Sequence, residues 1–298
     1  MKNNHSKLFI LLFFAIAAVS CNPEGGLKNP ADYELYVDIS ADQYPAVSHD
    51  GKLIAFYHKC LKYPEPEDYP TGLYVMNEEG INRKLLLKGD HWSPSWSPDG
   101  KWLVFTSGGT LQIINIKGDS IRTFQGVNDV PLFFPDWSPD GGSILFSSPY
   151  VEGGGFFICD PNFQEVKQLF NLYEFSGKDA NWSPDGGKIL YCKYYSKNEE
   201  LFVIDTTGVT DARLTNNNRD DRYPAWSPDG DLIAWSSNTE IYIMNVDGSN
   251  QRRLDFGRFP AFTPDSKYII YSNANNDFSK EVLYKIDING ENKIQITF

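Results

Sequence analysis

Apolar residues in this chain fall into short runs that recur at one phase. A run such as Leu232-Ile233-Ala234-Trp235 follows a tight polar turn and precedes a second apolar stretch that ends in Asn or Asp. Runs this short, bounded by turn residues, predict strands buried on both faces rather than helices. One phrase carries the pattern six times: YPAVSHDGKLIAFYH (44–58), SPSWSPDGKWLVFTS (93–107), FPDWSPDGGSILFSS (134–148), ANWSPDGGKILYCK (180–193), YPAWSPDGDLIAWSS (223–237) and FPAFTPDSKYIIYSN (259–273). Its aspartates, Asp50, Asp99, Asp140, Asp185, Asp229 and Asp265, are spaced 49, 41, 45, 44 and 36 residues apart.

Each repeat predicts four antiparallel strands. A short aromatic-Ser strand enters the Ser-Pro-Asp-Gly turn, where Asp bonds nearby amides and Gly takes positive φ. The apolar run is the second strand. The third ends at Asn77, Asn115, Asp160, Asp205, Asn245 or Asp287, and Gly follows three residues later in five repeats. That is a second Asx-type turn, and it leads to a fourth strand. Such units bury both faces by radial stacking, so the expected fold is all-β, a six-bladed β-propeller of four-stranded antiparallel blades over residues 41–298. Closure has two routes. Lys293 to Phe298 can complete the last blade from its own repeat, and Tyr33 to Ile39 can pair with that blade from the other end of the chain.

The N-terminus reads as an address. Lys2 and Lys7 precede an apolar run, Leu8 to Val19, too short to span a bilayer. It ends in Ala18-Val19-Ser20-Cys21, which resembles a bacterial lipobox. The expectation is a signal peptide over 1–20, lipidation at Cys21 and a tether over 21–40. Removing the first 20 residues takes two Lys and no acid, so the net charge moves from −12 to −14. An acidic chain repels phosphate backbones, which argues against nucleic acid as a partner. Aromatics at 15%, with 24 Gly and 18 Pro, agree with many short strands and turns. Cys60, Cys159 and Cys192 are an odd set without a CxxC pair, and read as buried thiols rather than a disulfide framework or zinc site.

The repeated Pro-x-Trp-Ser-Pro-Asp-Gly phrase resembles the TolB-type propeller repeat, a relative of WD repeats, over about residues 42–298. The resemblance implies a propeller that makes protein contacts in the cell envelope. TolB proper carries an α/β domain before its propeller, whereas here about 20 residues separate Cys21 from the first repeat. The whole Tol-system role is therefore not implied. Oligogalacturonate lyases, built on similar repeats, use manganese and several His. This chain offers His58 and His91, with Asp42 or Asp90 nearby, as weak metal candidates. They are expected to be surface histidines, and no cofactor is expected. No Gly-x-Ser-x-Gly elbow is present, so prolyl-peptidase-type hydrolysis is excluded.

The loops entering the blades carry acids and aromatics that topology gathers at one mouth of the central channel. The candidate rim comprises Asp42, Asp90, His91, Trp92, Asp129, Asp179, Asp220 and Asp221, with Tyr63 and Tyr69 from the long link at 59–72. Each Asp can order its own loop, attract a cationic partner, or do both. Two functions compete. One is a non-enzymatic, lipid-anchored platform for an envelope protein or basic peptide, probed by its lack of a catalytic constellation. The other is a surface lipoprotein that binds or acts on glycans, to which exposed aromatics would contribute.

Overall fold

The computed structural model describes residues 40–62, 64–126, 130–148, 155–171, 178–208, 211–276 and 279–298. Cys21 and the Tyr33–Ile39 segment lie outside these, as do Tyr63 and Asp129. Every regular element among the described residues is a strand. The first repeat forms β1 (Ser40–Val47), β2 (Leu53–Cys60), β3 (Gly72–Asn77) and β4 (Lys84–Lys88). The second forms β5 (His91–Trp96), β6 (Trp102–Ser107), β7 (Thr110–Asn115) and β8 (Ile121–Phe124). The third forms β9 (Phe133–Trp137), β10 (Ile144–Ser148), β11 (Gly155–Cys159) and β12 (Val166–Asn171). The fourth forms β13 (Lys178–Trp182), β14 (Lys188–Tyr195), β15 (Asn198–Asp205) and β16 (Asp211–Arg213). The fifth forms β17 (Asp221–Trp226), β18 (Leu232–Ser237), β19 (Glu240–Asn245) and β20 (Arg252–Phe256). The sixth forms β21 (Arg258–Phe262), β22 (Tyr268–Ala274), β23 (Glu281–Asp287) and β24 (Ile294–Gln295).

Repeats two to five are separate four-stranded antiparallel sheets in meander order. The expectation of six separate blades is corrected at the ends of the chain. The first and sixth repeats merge into one eight-stranded sheet, because β1 also pairs in parallel with β23 at Ala41–Glu281. The sixth repeat supplies its own fourth strand, β24 against β23.

Apolar side chains are buried between repeats rather than within them. Leu73 and Val75 pack with Leu103 and Phe105, Val104 with Phe146, and Phe156 with Tyr191. Cys192 and Leu201 pack with Trp235, and Ile243 with Tyr271. Ile54 and Phe56 pack with Ile270 and Ile296, which joins the last repeat to the first. A lone four-stranded unit would leave these faces wet, so stacking stabilises every repeat. The first strands touch in a closed cycle: β1, β5, β9, β13, β17, β21 and β1 again. Cys60, Cys159 and Cys192 are buried and form no disulfide with one another.

Candidate functional site

The six turn aspartates are structural. A Ser or Thr hydroxyl two residues earlier donates to each carboxylate, from Ser48–Asp50 at 2.8 Å to Ser227–Asp229 at 2.5 Å. A backbone N–H two residues later donates to the same oxygen. The Lys52 N–H and the Ser48 hydroxyl hold Asp50 at about 2. Hydroxyl bonds hold Asp99, Asp140, Asp185 and Asp265 below the usual carboxylate range as well. Depressed values stabilise the fold above the unfolded-state value near 4, and that contribution is lost as pH falls through the folded-state values. Thermal melts should therefore show a falling midpoint below pH 4. A midpoint flat from pH 5 to pH 2.5 would contradict these turns.

The blade-entry acids divide by depth. Asp90 is exposed and accepts from Lys59 Nζ at 2.7 Å and from the Tyr57 hydroxyl at 2.5 Å. Burial raises its pKa, but these bonds outweigh burial and keep it low. Asp220 is half exposed and accepts the Glu199 N–H, with Arg222 at 3.6 Å. Asp42, Asp179 and Asp221 are buried. Asp42 Oδ1 lies 2.7 Å from His58 Nδ1 and accepts the Tyr69 hydroxyl at 3.2 Å. Asp179 accepts from the Tyr223 N–H and the Cys192 thiol. Asp221 accepts from the Trp235 indole at 3.0 Å and the Asn217 amide at 2.7 Å. Burial pushes the Asp221 carboxyl above the usual range.

The expectation of surface histidines is corrected: His58 is 2% exposed and His91 is 8% exposed. His58 is covered by the Tyr69 ring, 3.8 Å away between centroids. His91 Nε2 lies 3.0 Å from the Lys88 carbonyl, so that nitrogen carries the proton, and Nδ1 lies 3.0 Å from the Ser107 hydroxyl. Burial pushes its pKa down, which favours this neutral form. Each imidazole is held by its own neighbours, His58 by Asp42 and Tyr69 and His91 by Lys88 and Ser107. Among the described residues, no group of three or more His, Cys, Asp and Glu is arranged to hold a metal ion.

Asp42, His91, Trp92, Asp179 and Asp221 stand in first strands rather than in the loops that precede them. The strands run on past the repeated proline because each carries a bulge there. At the bulge the residue before Pro, or before Ala180 in the fourth repeat, takes a left-handed backbone. These residues are Tyr44 (φ 52°), Ser93 (55°), Phe134 (50°), Asp179 (60°), Tyr223 (52°) and Phe259 (58°). Bulky residues avoid this region, and a following proline disfavours helical backbone further. Each instance costs on the order of 1–3 kcal/mol. At the bulges the rings of Tyr44, Phe134, Tyr223 and Phe259 meet, some of them from non-adjacent repeats. Tyr44 and Tyr223 lie 6.0 Å apart, and Phe134 and Tyr223 lie 6.3 Å apart. Phe259 packs on Tyr44 at 4.0 Å and on Tyr223 at 4.4 Å, while Trp92 flanks Tyr44 and Phe134. The Tyr44 and Tyr223 hydroxyls bond each other, and burial pushes the Tyr44 pKa well above its usual range. The axial mouth is thus floored by aromatic rings, with one collar residue from each repeat.

A family model described as the TolB beta propeller domain matches residues 110–297. The chain belongs to the TolB beta-propeller family. TolB from Acinetobacter baumannii superposes with a TM-score of 0.67 at 19% identity, covering 86% of this chain and 62% of that one. A TolB of Agrobacterium tumefaciens, described as putative, superposes at 0.62 with 22% identity, covering 72% and 84%. An oligogalacturonate lyase in complex with manganese shares the fold at 0.57 with 14% identity, covering 83% and 89%. An uncharacterized protein of Agrobacterium fabrum is 27% identical over 213 residues, 69% of this chain and 57% of that protein. The chain therefore spans less than two thirds of that relative and of the Acinetobacter TolB.

Two features of this TolB-type propeller escaped sequence reasoning. The collar is the residue before the repeated proline, aromatic in four repeats, but nothing in the sequence marks its left-handed backbone. Asp136 is the second. Its carboxylate accepts the Ser95 hydroxyl at 2.9 Å and the Trp182 N–H at 2.8 Å, so it staples repeats two, three and four. Burial raises it to about 6 against those bonds. The equivalent positions in repeats one, five and six are Ala46, Ala225 and Ala261, so the repeat pattern gave no signal for it.

Proposed function

We propose that this protein is a non-enzymatic binding platform of the bacterial cell envelope, which holds a protein or peptide partner over the axial mouth. The collar carries this reading. Six residues share the strained backbone and four of them bring their rings together, and strain of that kind persists where a scaffold over-determines a functional surface. Trp92, Tyr44 and Tyr223 remain partly exposed there, and partly exposed aromatic rings are frequent anchors for partners. The reading takes repeats one and six as two blades of a closed six-bladed ring, supported by the closed cycle of first strands. Among the described residues, Asp90 and Asp220 are the rim acids that meet solvent, so basic groups on the partner would dock at the outer rim. Lipidation at Cys21 would tether the protein to a membrane. A Cys21→Ser protein should move from the membrane pellet to the soluble fraction, and unchanged pelleting would count against the anchor.

Capture from detergent-solubilised envelope tests the platform. Immobilised wild type should retain a defined protein, and Trp92→Ala should weaken its retention about 30-fold, the effect of losing one aromatic anchor. Lys101→Ala, on the opposite turn face, should leave it unchanged. Equal retention by both variants would sink the reading. Release of the captured material by soluble oligogalacturonate would favour the glycan alternative, which Tyr194 and Tyr195 support with side chains about half exposed.

A further inference from the structure

Arginine is unevenly spread along the chain. Six of its eight, Arg213, Arg219, Arg222, Arg252, Arg253 and Arg258, fall between positions 213 and 258. Three of these are joined in one unbroken network across repeats four and five. Arg213 Nη2 donates to Glu200 Oε1 at 2.8 Å. The Asn198 amide donates to the same oxygen at 2.8 Å and to the Arg219 backbone carbonyl at 2.6 Å. Arg219 Nη1 and Arg253 Nε then meet the two oxygens of Glu240, at 2.7 and 2.8 Å. Each guanidinium also lies over a ring: Arg213 over Tyr195 at 4.7 Å, Arg219 over Tyr242 at 5.4 Å and Arg253 over Phe256 at 4.1 Å. Tyr195 and Phe256 are about half exposed. The network is layered by charge. The Arg213, Arg219 and Arg253 side chains are 28%, 39% and 41% exposed, against 0% for Glu200 and 20% for Glu240. A partner therefore meets guanidiniums, with their carboxylates beneath. The more exposed acids nearby are engaged as well, Asp211 with Lys193 at 3.1 Å and Asp220 with Arg222 at 3.6 Å.

We propose that this layered patch is a docking site for an acidic peptide segment, separate from the mouth. A guanidinium offers five N–H donors and no acceptor. Among the described residues, the hydrogen-bonded contacts of the Arg253 side chain engage only Nε, and those of Arg219 only Nη1. Partner carboxylates take the outward N–H edges as Glu240 takes the inner ones, because planar carboxylates match the guanidinium fork. Stacking on the rings fixes the guanidinium planes beforehand, so little side-chain freedom is lost on binding. An apolar partner side chain covers Phe256. The backbone favours a peptide over an acidic polysaccharide. Arg213 and Arg253 stand on β16 and β20, the outermost strands of their sheets, and such edges present N–H and C=O groups to an incoming extended chain. Arg219, Arg253 and Glu240 together carry one positive charge in a chain of net charge −12. An acidic segment repelled by the molecule as a whole is thus attracted locally here.

Fluorescence anisotropy on the full chain tests the site. The probe is a short labelled peptide of alternating Glu and Thr, and its Gln–Thr counterpart is the neutral control. At about 20 mM salt the acidic peptide should bind about tenfold more tightly than the neutral one, and the difference should shrink at about 300 mM. Arg219→Gln and Arg253→Gln should each weaken it about tenfold, the loss of one charge-assisted contact. Each variant leaves Glu240 with the other arginine, so the fold is kept. Arg122→Gln removes the same charge from a guanidinium stacked on Trp102 in repeat two, and it should bind as wild type does. Equal affinity for the two peptides would overturn the proposal, as would unchanged binding by Arg253→Gln or an equal loss in Arg122→Gln. Tighter binding of an oligogalacturonate of the same charge would overturn the choice of a peptide. Trp92→Ala should bind the probe normally, and a loss there would assign the peptide to the mouth instead. The probe makes no use of the mouth, so failure here leaves the platform reading standing.

Discussion

Gly80→Ala should be among the most damaging single-methyl additions in this protein. A Cβ at Gly80 would sit 1.8 Å from the Ile296 carbonyl oxygen, and the residue has φ +79°. The obstacle is backbone of the last repeat, so no side-chain rotation relieves it. Overpacking and the left-handed conformation together cost about 3–5 kcal/mol. In a domain of this size that lowers the melting midpoint by about 10 °C. Gly100→Ala is the matched control: its φ is +67° but nothing lies within 4 Å, so only the conformational cost of about 1 kcal/mol applies. Calorimetry of the two variants separates the effects. Equal, small shifts would mean that the end of the chain does not pack on the first repeat.

Asp221→Ala is expected to cost about 3 kcal/mol, because it leaves buried donors without their acceptor. The Trp235 indole and the Asn217 amide lose bonds of 3.0 and 2.7 Å, and the Ser237 and Thr215 hydroxyls lose the same acceptor. Trp235 is among the largest fully buried side chains and fills the seam between repeats four and five. Its environment should loosen with the bond, and tryptophan fluorescence should shift red. Asp90→Ala should change stability by less than about 1 kcal/mol, since its ion pair with Lys59 is exposed. An Asp221→Ala protein as stable as wild type would show that the acid serves the mouth's charge rather than the fold.

The repeat was legible because its signals are local. Ser-x-Asp turns, Asx turns after the third strand and apolar second strands are each fixed by residues within a few positions of one another. Phe163 (φ 60°) even takes the place of the missing glycine in the third repeat, and its N–H bonds the Asp160 carbonyl as the glycines do elsewhere. The rim was only half legible. Asp90 and Asp221 look alike in sequence, yet one faces water and the other binds an indole, because burial is decided by strands far apart in the chain. The sequence predicts only a short aromatic-Ser first strand, such as Trp96-Ser97 or Trp226-Ser227, between the repeated proline and the turn. The left-handed residue ahead of the proline lets the first strands begin earlier, which carries Asp42, Trp92 and Asp221 out of the loops. The β1–β23 joint has no sequence mark, since it depends on where the two ends of the ring arrive.

The claim that the aromatic mouth is the working surface is tested most directly by photo-crosslinking in living cells. A benzoylphenylalanine placed at Trp92 or at Asp220 looks out of the mouth, and one placed at Lys101 looks out of the turn face. The account predicts an adduct of one defined mass from both mouth positions and none from Lys101. Adducts from Lys101 alone, or no adduct from either mouth position, would contradict it.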